Sequence, residues 1–337
     1  MLEALTEDDL MQGFCFDTFG AAGDVLRPRE LEKPEAGPGE VRVRLHTTAV
    51  NPSDVKKRAG AFPNLLDNGP VIPHSDGAGV IDAVGDGVSP TRIGERVFVY
   101  QAQHGRSRGT AAQWVSVDSV RAPALPDAAS FEVGACIGIP MMTAHRCVTA
   151  DGAVADTWIL VTGGAGRVGY YAIQWAKRFG ARVAATAGNQ ADRELCLAAG
   201  AEVVVDHHQS GWGAALREQC GQRMKRVIDV EFGANLPEVI DCIATGGVIA
   251  TYASSRIPEP TLPFRTMMFM DLTIRLVIVY DMPEEAKSRA IEDTCQALRE
   301  GALQHRLGHV LPFTDLAQAH NLVEAGGTQG CVIVSLP

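Results

Sequence analysis

The amino-acid sequence predicts an α/β protein in which a doubly wound parallel sheet is set inside a β-rich domain. Three observations predict this. The first third of the chain holds short β-branched runs separated by Gly- and Pro-rich turns. The middle alternates short apolar strands with helical stretches, the pattern of right-handed βαβ units. The end returns to one long helical stretch and one last strand, as if a domain were interrupted and then resumed.

In the first third, Val41, Val43 and Leu45 alternate with Arg42 and Arg44, which reads as a half-buried strand. Gly79 to Val84 and Arg96 to Tyr100 read the same way, and the clusters Pro34 to Gly39 and Val84 to Val88 supply turns. In the middle, strands are expected at Trp158 to Thr162, Arg182 to Thr186, Val203 to Val205, Val227 to Val230 and Val248 to Thr251. Helices are expected at Arg167 to Phe179 and Gln190 to Ala199, each stopped by a glycine, near Ala214, and at Leu236 to Ile243. A helix from Glu284 to Glu300, stopped by Gly301, and a strand from Cys331 to Ser335 complete the chain. The domains expected are 1–132 with 280–337, and 133–279.

Composition narrows the functional classes. The 337 residues are 46% hydrophobic and 21% charged, enough for a buried core, and the net charge of -10 argues against a nucleic-acid partner. No apolar run approaches the ~20 residues that cross a bilayer. The segment Met1 to Leu10 is acidic and lacks the features of a signal peptide, so a cytoplasmic location is expected. The eight cysteines form no Cys-x-x-Cys pair and read as reduced, mostly buried small hydrophobes.

Gly164, Gly166 and Gly169 form a Gly-x-Gly-x-x-Gly pattern directly after a strand and at the start of a helix, the context a dinucleotide fingerprint requires. The first glycine is expected to allow the tight turn, the second the approach of a pyrophosphate, and the third close packing of helix on strand. Amides at the helix start and the helix dipole then face the anion. A carboxylate for the ribose diol of NAD is normally found at the end of the next strand. That strand ends in Ala185-Thr186-Ala187-Gly188, with no carboxylate, and Arg193 lies just downstream. This favours NADPH, with Arg193, Thr186 and backbone amides meeting the 2′-phosphate; Arg193 as a solvated helix residue is the equal alternative, and Asp192 beside it either repels a phosphate or points to solvent.

Asn51-Pro-Ser-Asp54, Ile72 to Val80, Ala83 to Val88, Gly94 to Val97, Ile137 to Pro140, Thr143 to Arg146 and the glycine loop occur in one order along nearly the whole chain. In this the sequence resembles the zinc-independent, zeta-crystallin-like quinone oxidoreductases of the medium-chain dehydrogenase/reductase superfamily. The resemblance implies a GroES-like catalytic domain, an inserted Rossmann domain, and dimers joined through the last Rossmann strand, near Leu272 to Val279. Zinc alcohol dehydrogenases of the superfamily carry Cys where this chain has Asn51, and His-Glu where it has Ser75-Asp76, so no metal is expected; His74 is one place off. Without a Lewis acid, alcohol oxidation gives way to electron-poor acceptors, a quinone or an α,β-unsaturated carbonyl.

By match to the family, Asn51, Tyr100 and Thr143 are the candidate catalytic residues. Asn51 would meet the nicotinamide ribose or the substrate oxygen, Thr143 the nicotinamide, and Tyr100 with Gln101 the pocket wall. The cofactor site so implied comprises Asn51, Thr143, Gly164, Ala165, Gly166, Arg167, Val168, Thr186, Gly188, Arg193, His207 and Asn235. Each has a structural alternative: Asn51 shaping a turn, Thr143 and Tyr100 packing in a core, His207 in a solvated loop. Lys56 stands where relatives commonly carry Tyr, and the basic loop Gln103 to Gly109 faces either an anionic substrate or solvent. An enoyl thioester reductase and a non-enzymatic dinucleotide-binding protein are the competing functions.

Overall fold

The computed structural model describes residue 6 and residues 9–337, and the chain divides into two compact units, 1–139 with 291–337 and 140–290.

The first unit opens with a β1 (Leu10–Cys15), α1 (Ala22–Val25), β2 (Arg27–Glu32) segment, the two strands pairing antiparallel. It continues through β3 (Glu40–Val50), α2 (Pro52–Arg58), β4 (Asp76–Val84), β5 (Arg96–Val99), β6 (Trp114–Asp118) and α3 (Phe131–Cys136). The alternation read in the sequence decides which face of β3 is inward: Val41, Val43 and Leu45 are buried, and Arg42 and Arg44 are not. They pack with Ile81, Val97, Val99, Val115 and Val117, each worth about 1.5–3 kcal/mol when fully buried. A second core joins Phe14, Phe16, Val50 and Val55 to Leu316, Val332 and Val334 of the returning chain.

The second unit runs α4 (Ile139–Thr149), β7 (Trp158–Val161), α5 (Arg167–Arg178), β8 (Arg182–Ala187), α6 (Gln190–Ala198), β9 (Val203–Asp206), α7 (Trp212–Cys220), β10 (Met224–Asp229), α8 (Phe232–Cys242), β11 (Ile243–Thr251), α9 (Phe264–Phe269), β12 (Thr273–Leu276) and α10 (Glu284–Arg299). α4 and α10 contain the two division points. Its sheet order is β12-β11-β10-β7-β8-β9, all parallel, so the chain reverses its winding direction beside β7. Ligand crevices form at such a switch point, outside the carboxyl ends of the strands.

The chain then supplies β13 (Leu307–Pro312), α11 (Leu316–Ala325) and β14 (Cys331–Ser335) to the first unit, where the sheet order is β13-β14-β3-β4-β5 with β6 on β3. Two expectations are corrected here. The tail contains a strand and a helix, β13 and α11, that the sequence reading did not separate. α8 begins at Phe232, not Leu236, because the turn-like Gly233 amide is satisfied by the Ser254 hydroxyl at 2.9 Å, and Pro237 is accommodated inside the helix. All eight cysteines are free thiols, six of them buried. No helix of the described residues is long and apolar enough to cross a membrane.

Candidate active site

The glycine loop joins β7 to α5, with Gly166 as the N-cap of the helix. Its distribution of roles differs from the expectation. The left-handed turn falls on Gly163, at φ 58°, one residue ahead of the fingerprint. Gly164 instead gives room: a Cβ there would lie 2.8 Å from Cys196 Sγ and 2.9 Å from Ala185 Cβ. Gly169 lets α5 close on the loop, because its Cβ would lie 2.4 Å from the Gly163 carbonyl oxygen. Gly166 is exposed. The loop is fastened to the end of β8: the Gly163 amide donates to Thr186 Oγ1 at 2.9 Å, and the Gly164 amide to the Thr186 carbonyl at 2.9 Å. Thr186 therefore shapes the cradle from below. This strand–loop–helix cradle fits a dinucleotide pyrophosphate, since it combines a bare backbone with a helix start.

A buried carboxylate backs the loop. Asp229, at the end of β10, accepts from Thr162 Oγ1 at 2.6 Å and from Asn235 Nδ2 at 2.7 Å, and the Val230 amide donates to Thr162 Oγ1 at 3.0 Å. Burial pushes the Asp229 carboxyl above its usual range, against the pull of those donors. Asn235 thus sits within a network that ties β7 to β10. Arg193 donates to the Val204 carbonyl, and Asn189 caps α6, its side chain accepting from the Asp192 amide at 2.9 Å and donating to Asp192 Oδ2 at 2.8 Å. His207 and His208 turn toward Gly188, the residue after β8. Thr143 lies buried on α4.

In the first unit, Asn51 caps α2. Pro52 occupies the first helical position, and the Asn51 amide donates to Asp54 Oδ2 at 2.8 Å in a capping box. The Asn51 side chain donates from Nδ2 to Asp76 Oδ2 at 2.8 Å, and the same oxygen accepts from the Ile139 amide at 2.9 Å. Asp76 is fully buried, its Oδ1 has no partner, and burial holds its carboxyl well above the carboxylate range. Gly138 makes this fit possible, since a Cβ there would come within 2.2 Å of Asp76 Oδ1.

Beside Asp76 runs a second buried polar chain. His74 has φ 79°, and its Nδ1 pairs with Thr48 Oγ1 at 2.9 Å. Thr48 and Thr110 both donate to the Asp76 carbonyl, at 3.1 Å and 2.7 Å. His74 Nε2 meets His320 Nε2 of α11 at 2.9 Å. Burial keeps His74 neutral, its pKa lowered to about 3, and His320 is pushed down too by burial, His74 and Arg58. Arg58, fully buried, donates to the Gly20 carbonyl and to Glu324 Oε2 at 2.6 Å. The sequence reading missed Asp54, Asp76 and His320. Only Asp54 carried a local signal, the Asn-Pro-x-Asp capping pattern.

Tyr100 is buried, with its hydroxyl donating to the Val120 carbonyl at 3.2 Å and accepting from Arg121 at 3.1 Å. The basic loop folds back on its own unit: Arg106 donates to the Ser116 carbonyl and lies 3.6 Å from Glu40, and Lys57 Nζ donates to Gln103 at 2.7 Å. Lys56 is exposed. Among the described residues, no group of three or more His, Cys, Asp or Glu side chains is arranged to hold a metal. At the position in question the donors are an amide and a hydroxyl, Asn51 bonded to Asp76 and Ser75 donating to Asp54 Oδ1 at 3.4 Å, which do not fit catalytic zinc.

Comparison with known proteins places these features. A model described as "Alcohol dehydrogenase GroES-like domain" matches residues 37–127, and one described as "Zinc-binding dehydrogenase" matches residues 168–294. Quinone oxidoreductase of Homo sapiens is 28% identical over 337 residues, covering 98% of this chain and 99% of that protein. The crystal structure of an NAD-dependent alcohol dehydrogenase is similar at a TM-score of 0.87 and 29% identity, covering 97% of this chain and 100% of that one. A mycobacterial protein in complex with NADPH is similar at a TM-score of 0.84 and 25% identity, covering 96% and 99%. With a GroES-like unit, an inserted Rossmann unit and these relatives along its length, the chain is similar throughout to the quinone oxidoreductases of the medium-chain dehydrogenase/reductase superfamily.

Proposed function

We propose that this protein is an NADPH-dependent reductase that transfers a hydride to a quinone or another electron-poor α,β-unsaturated carbonyl, without a metal. The observation that carries the reading is the cradle of Gly163 to Gly166 at the start of α5, braced by Thr186 and by the Asp229–Thr162–Asn235 network. The bound coenzyme supplies a hydride from its nicotinamide. The chain's part is to bind, orient and stabilise developing negative charge on the acceptor oxygen.

Asn51 is suited to the last task. An amide nitrogen has two protons, and Asp76 takes one of them. The other is held in a fixed direction by the cap of α2 and by the buried carboxyl, so little rotamer entropy is lost when it meets an oxygen. In the Rossmann unit, Thr143 is the candidate to lie against the nicotinamide. Tyr100, with its hydroxyl held by Val120 and Arg121, acts as a fixed wall rather than a proton donor.

The protein is also proposed to act as a homodimer. β12 is an edge strand, and around it Phe264, Phe269, Leu276 and Ile278 are 70%, 72%, 75% and 55% exposed, an apolar surface that a second copy would cover.

The test is a coenzyme-oxidation screen over quinones, free enones and enoyl thioesters. Turnover with quinones or enones above thioesters is expected. A strong thioester preference would replace the acceptor class, and binding of NADPH with no turnover on any acceptor would contradict the enzymatic reading.

A further inference from the structure

A side-chain amide has one end that donates and one that accepts, and the two are alike in size. Which end faces a substrate oxygen depends on what holds the rest of the group. For Asn51 both ends are held, and each hold begins at a main-chain amide, which can only donate. At the nitrogen end, the Ile139 amide donates to Asp76 Oδ2 at 2.9 Å, and the same oxygen accepts from Asn51 Nδ2 at 2.8 Å. At the oxygen end, the capping box sets the Asn51 side chain against the Asp54 amide. Turning the amide over would put its oxygen against Asp76 Oδ2 and its nitrogen against a donor.

Asp76 is itself fixed. Its main chain lies opposite Ala49 where β3 pairs with β4, and its carbonyl accepts from Thr48 Oγ1 at 3.1 Å and Thr110 Oγ1 at 2.7 Å. Gly138 closes in on Oδ1, so the carboxyl has no room to rotate. Burial favours the neutral acid. Oδ2, which already takes two N–H groups, then serves as the carbonyl oxygen of that acid and stays an acceptor.

We propose that Asp76 is a positioning residue that fixes the polarity of Asn51, so that the amide offers the acceptor's oxygen a proton and never a lone pair. The inference rests on the reductase reading above and adds the residue through which Asn51 is set. The arrangement suits an oxygen that only accepts hydrogen bonds and gains negative charge as the hydride arrives, as in the carbonyl of a quinone or enone. An amide able to turn would spend part of its time with its oxygen toward that charge and oppose the transfer. Asp76 needs no charge for this task, only an acceptor at Oδ2, so asparagine can replace it.

The experiment measures NADPH Kd, and kcat and KM for a quinone and an enone, with the native chain, Asp76→Ala, Asp76→Asn, Asn51→Ala and the double variant Asn51→Ala/Asp76→Ala. Asp76→Ala is expected to lower kcat about 10- to 100-fold while NADPH Kd stays within about twofold, and Asp76→Asn to keep kcat within about threefold of native. In the Asn51→Ala background, Asp76→Ala is expected to change kcat by less than about threefold, whereas a merely structural residue would lower it again by its full factor. Side-chain amide 15N spectra of the coenzyme-free protein, with Asn51 assigned by comparison with Asn51→Ala, read the orientation without turnover. One Asn51 side-chain proton is expected to exchange slowly in the native chain and in Asp76→Asn, and quickly in Asp76→Ala. The Asp76→Asn comparison and the native spectrum decide the matter even where Asp76→Ala does not fold. Losses that multiply in the double variant, an Asp76→Asn protein as slow as Asp76→Ala, or an Asn51 amide with no protected proton would overturn the positioning role and leave the reductase reading standing. A protected amide in a native protein that turns over neither quinone nor enone would overturn the reductase reading, and the role of Asp76 with it.

Discussion

The two units build their candidate sites from different materials. In the Rossmann unit the cradle is mostly backbone: glycines, amides and strand ends, with Thr186 and Asp229 bracing it from below. In the GroES-like unit, the region around Asn51 is a buried side-chain network that draws Asp54, His74, Asp76 and Thr110 together with His320, 246 residues after His74. A backbone site tolerates changes in side chains but not in shape. A side-chain network tolerates small changes in shape but not the loss of a hydrogen-bonding partner, because each buried donor left unpaired costs about 1–3 kcal/mol.

The sharpest way to break this contrast is in the network. Asp76→Ala leaves the Asn51 side chain and the Ile139 amide without their shared acceptor, and is expected to cost roughly 2–4 kcal/mol in urea unfolding, with Asp76→Asn costing clearly less. Equal losses for the two would mean that packing against Gly138, not hydrogen bonding, is what matters.

On the Rossmann side, Gly169→Val drives a side chain into the Gly163 carbonyl. It is expected to cost about 1–3 kcal/mol and to abolish NADPH binding in calorimetry. Thr186→Val, which removes the acceptor of the Gly163 amide but keeps the shape, is expected to weaken binding by only about 1 kcal/mol.

The histidine pair gives a pH signature of its own. Burial lowers the folded pKa of His74 to about 3 and depresses that of His320, so each contributes stability that is present above about pH 6.5 and lost as pH falls. The expected slope is up to about 1.4 kcal/mol per pH unit for each group. Asp76 acts with the opposite sign: its folded pKa is raised, so its contribution is complete below the unfolded value of 3.8 and is lost as pH rises. Unfolding of the native chain and of His320→Phe between pH 7 and 5 separates the two, and the variant is expected to lose about one proton's worth of slope. An unchanged slope would remove His320 from the account.

The smallest effect concerns assembly. Leu276→Lys at the edge strand is expected to shift the protein from dimer to monomer in light scattering, with folding hardly affected, since the residue is exposed. A variant that stays dimeric would place the interface elsewhere.

The same contrast explains what the sequence made legible. The glycine loop and the strand–helix alternation are local patterns, and the Rossmann elements follow from them with shifts of a few residues. Even there, the left-handed turn lies on Gly163 because the loop is set by its ties to Thr186, which spacing does not reveal. Arg193 is expected at the phosphate because it is basic and close in sequence, whereas its bond to the Val204 carbonyl depends on how α6 lies on β9. In the first unit, Asn51 and Asp76 lie 25 residues apart and His74 and His320 far more, so no periodicity or spacing links them. β13 and α11 were hidden for a similar reason, as β13 is largely exposed and lacks an apolar alternation.

The central claim is metal-free hydride transfer from NADPH to an electron-poor acceptor. Its most direct test is reduction of a quinone or enone with NADPH carrying deuterium at both C4 positions by chelator-treated protein. Undiminished turnover is expected and, with the enone, deuterium on the β-carbon of the product. Activity that disappears with the chelator and returns with zinc, or an enone product that forms without coenzyme deuterium, would contradict it.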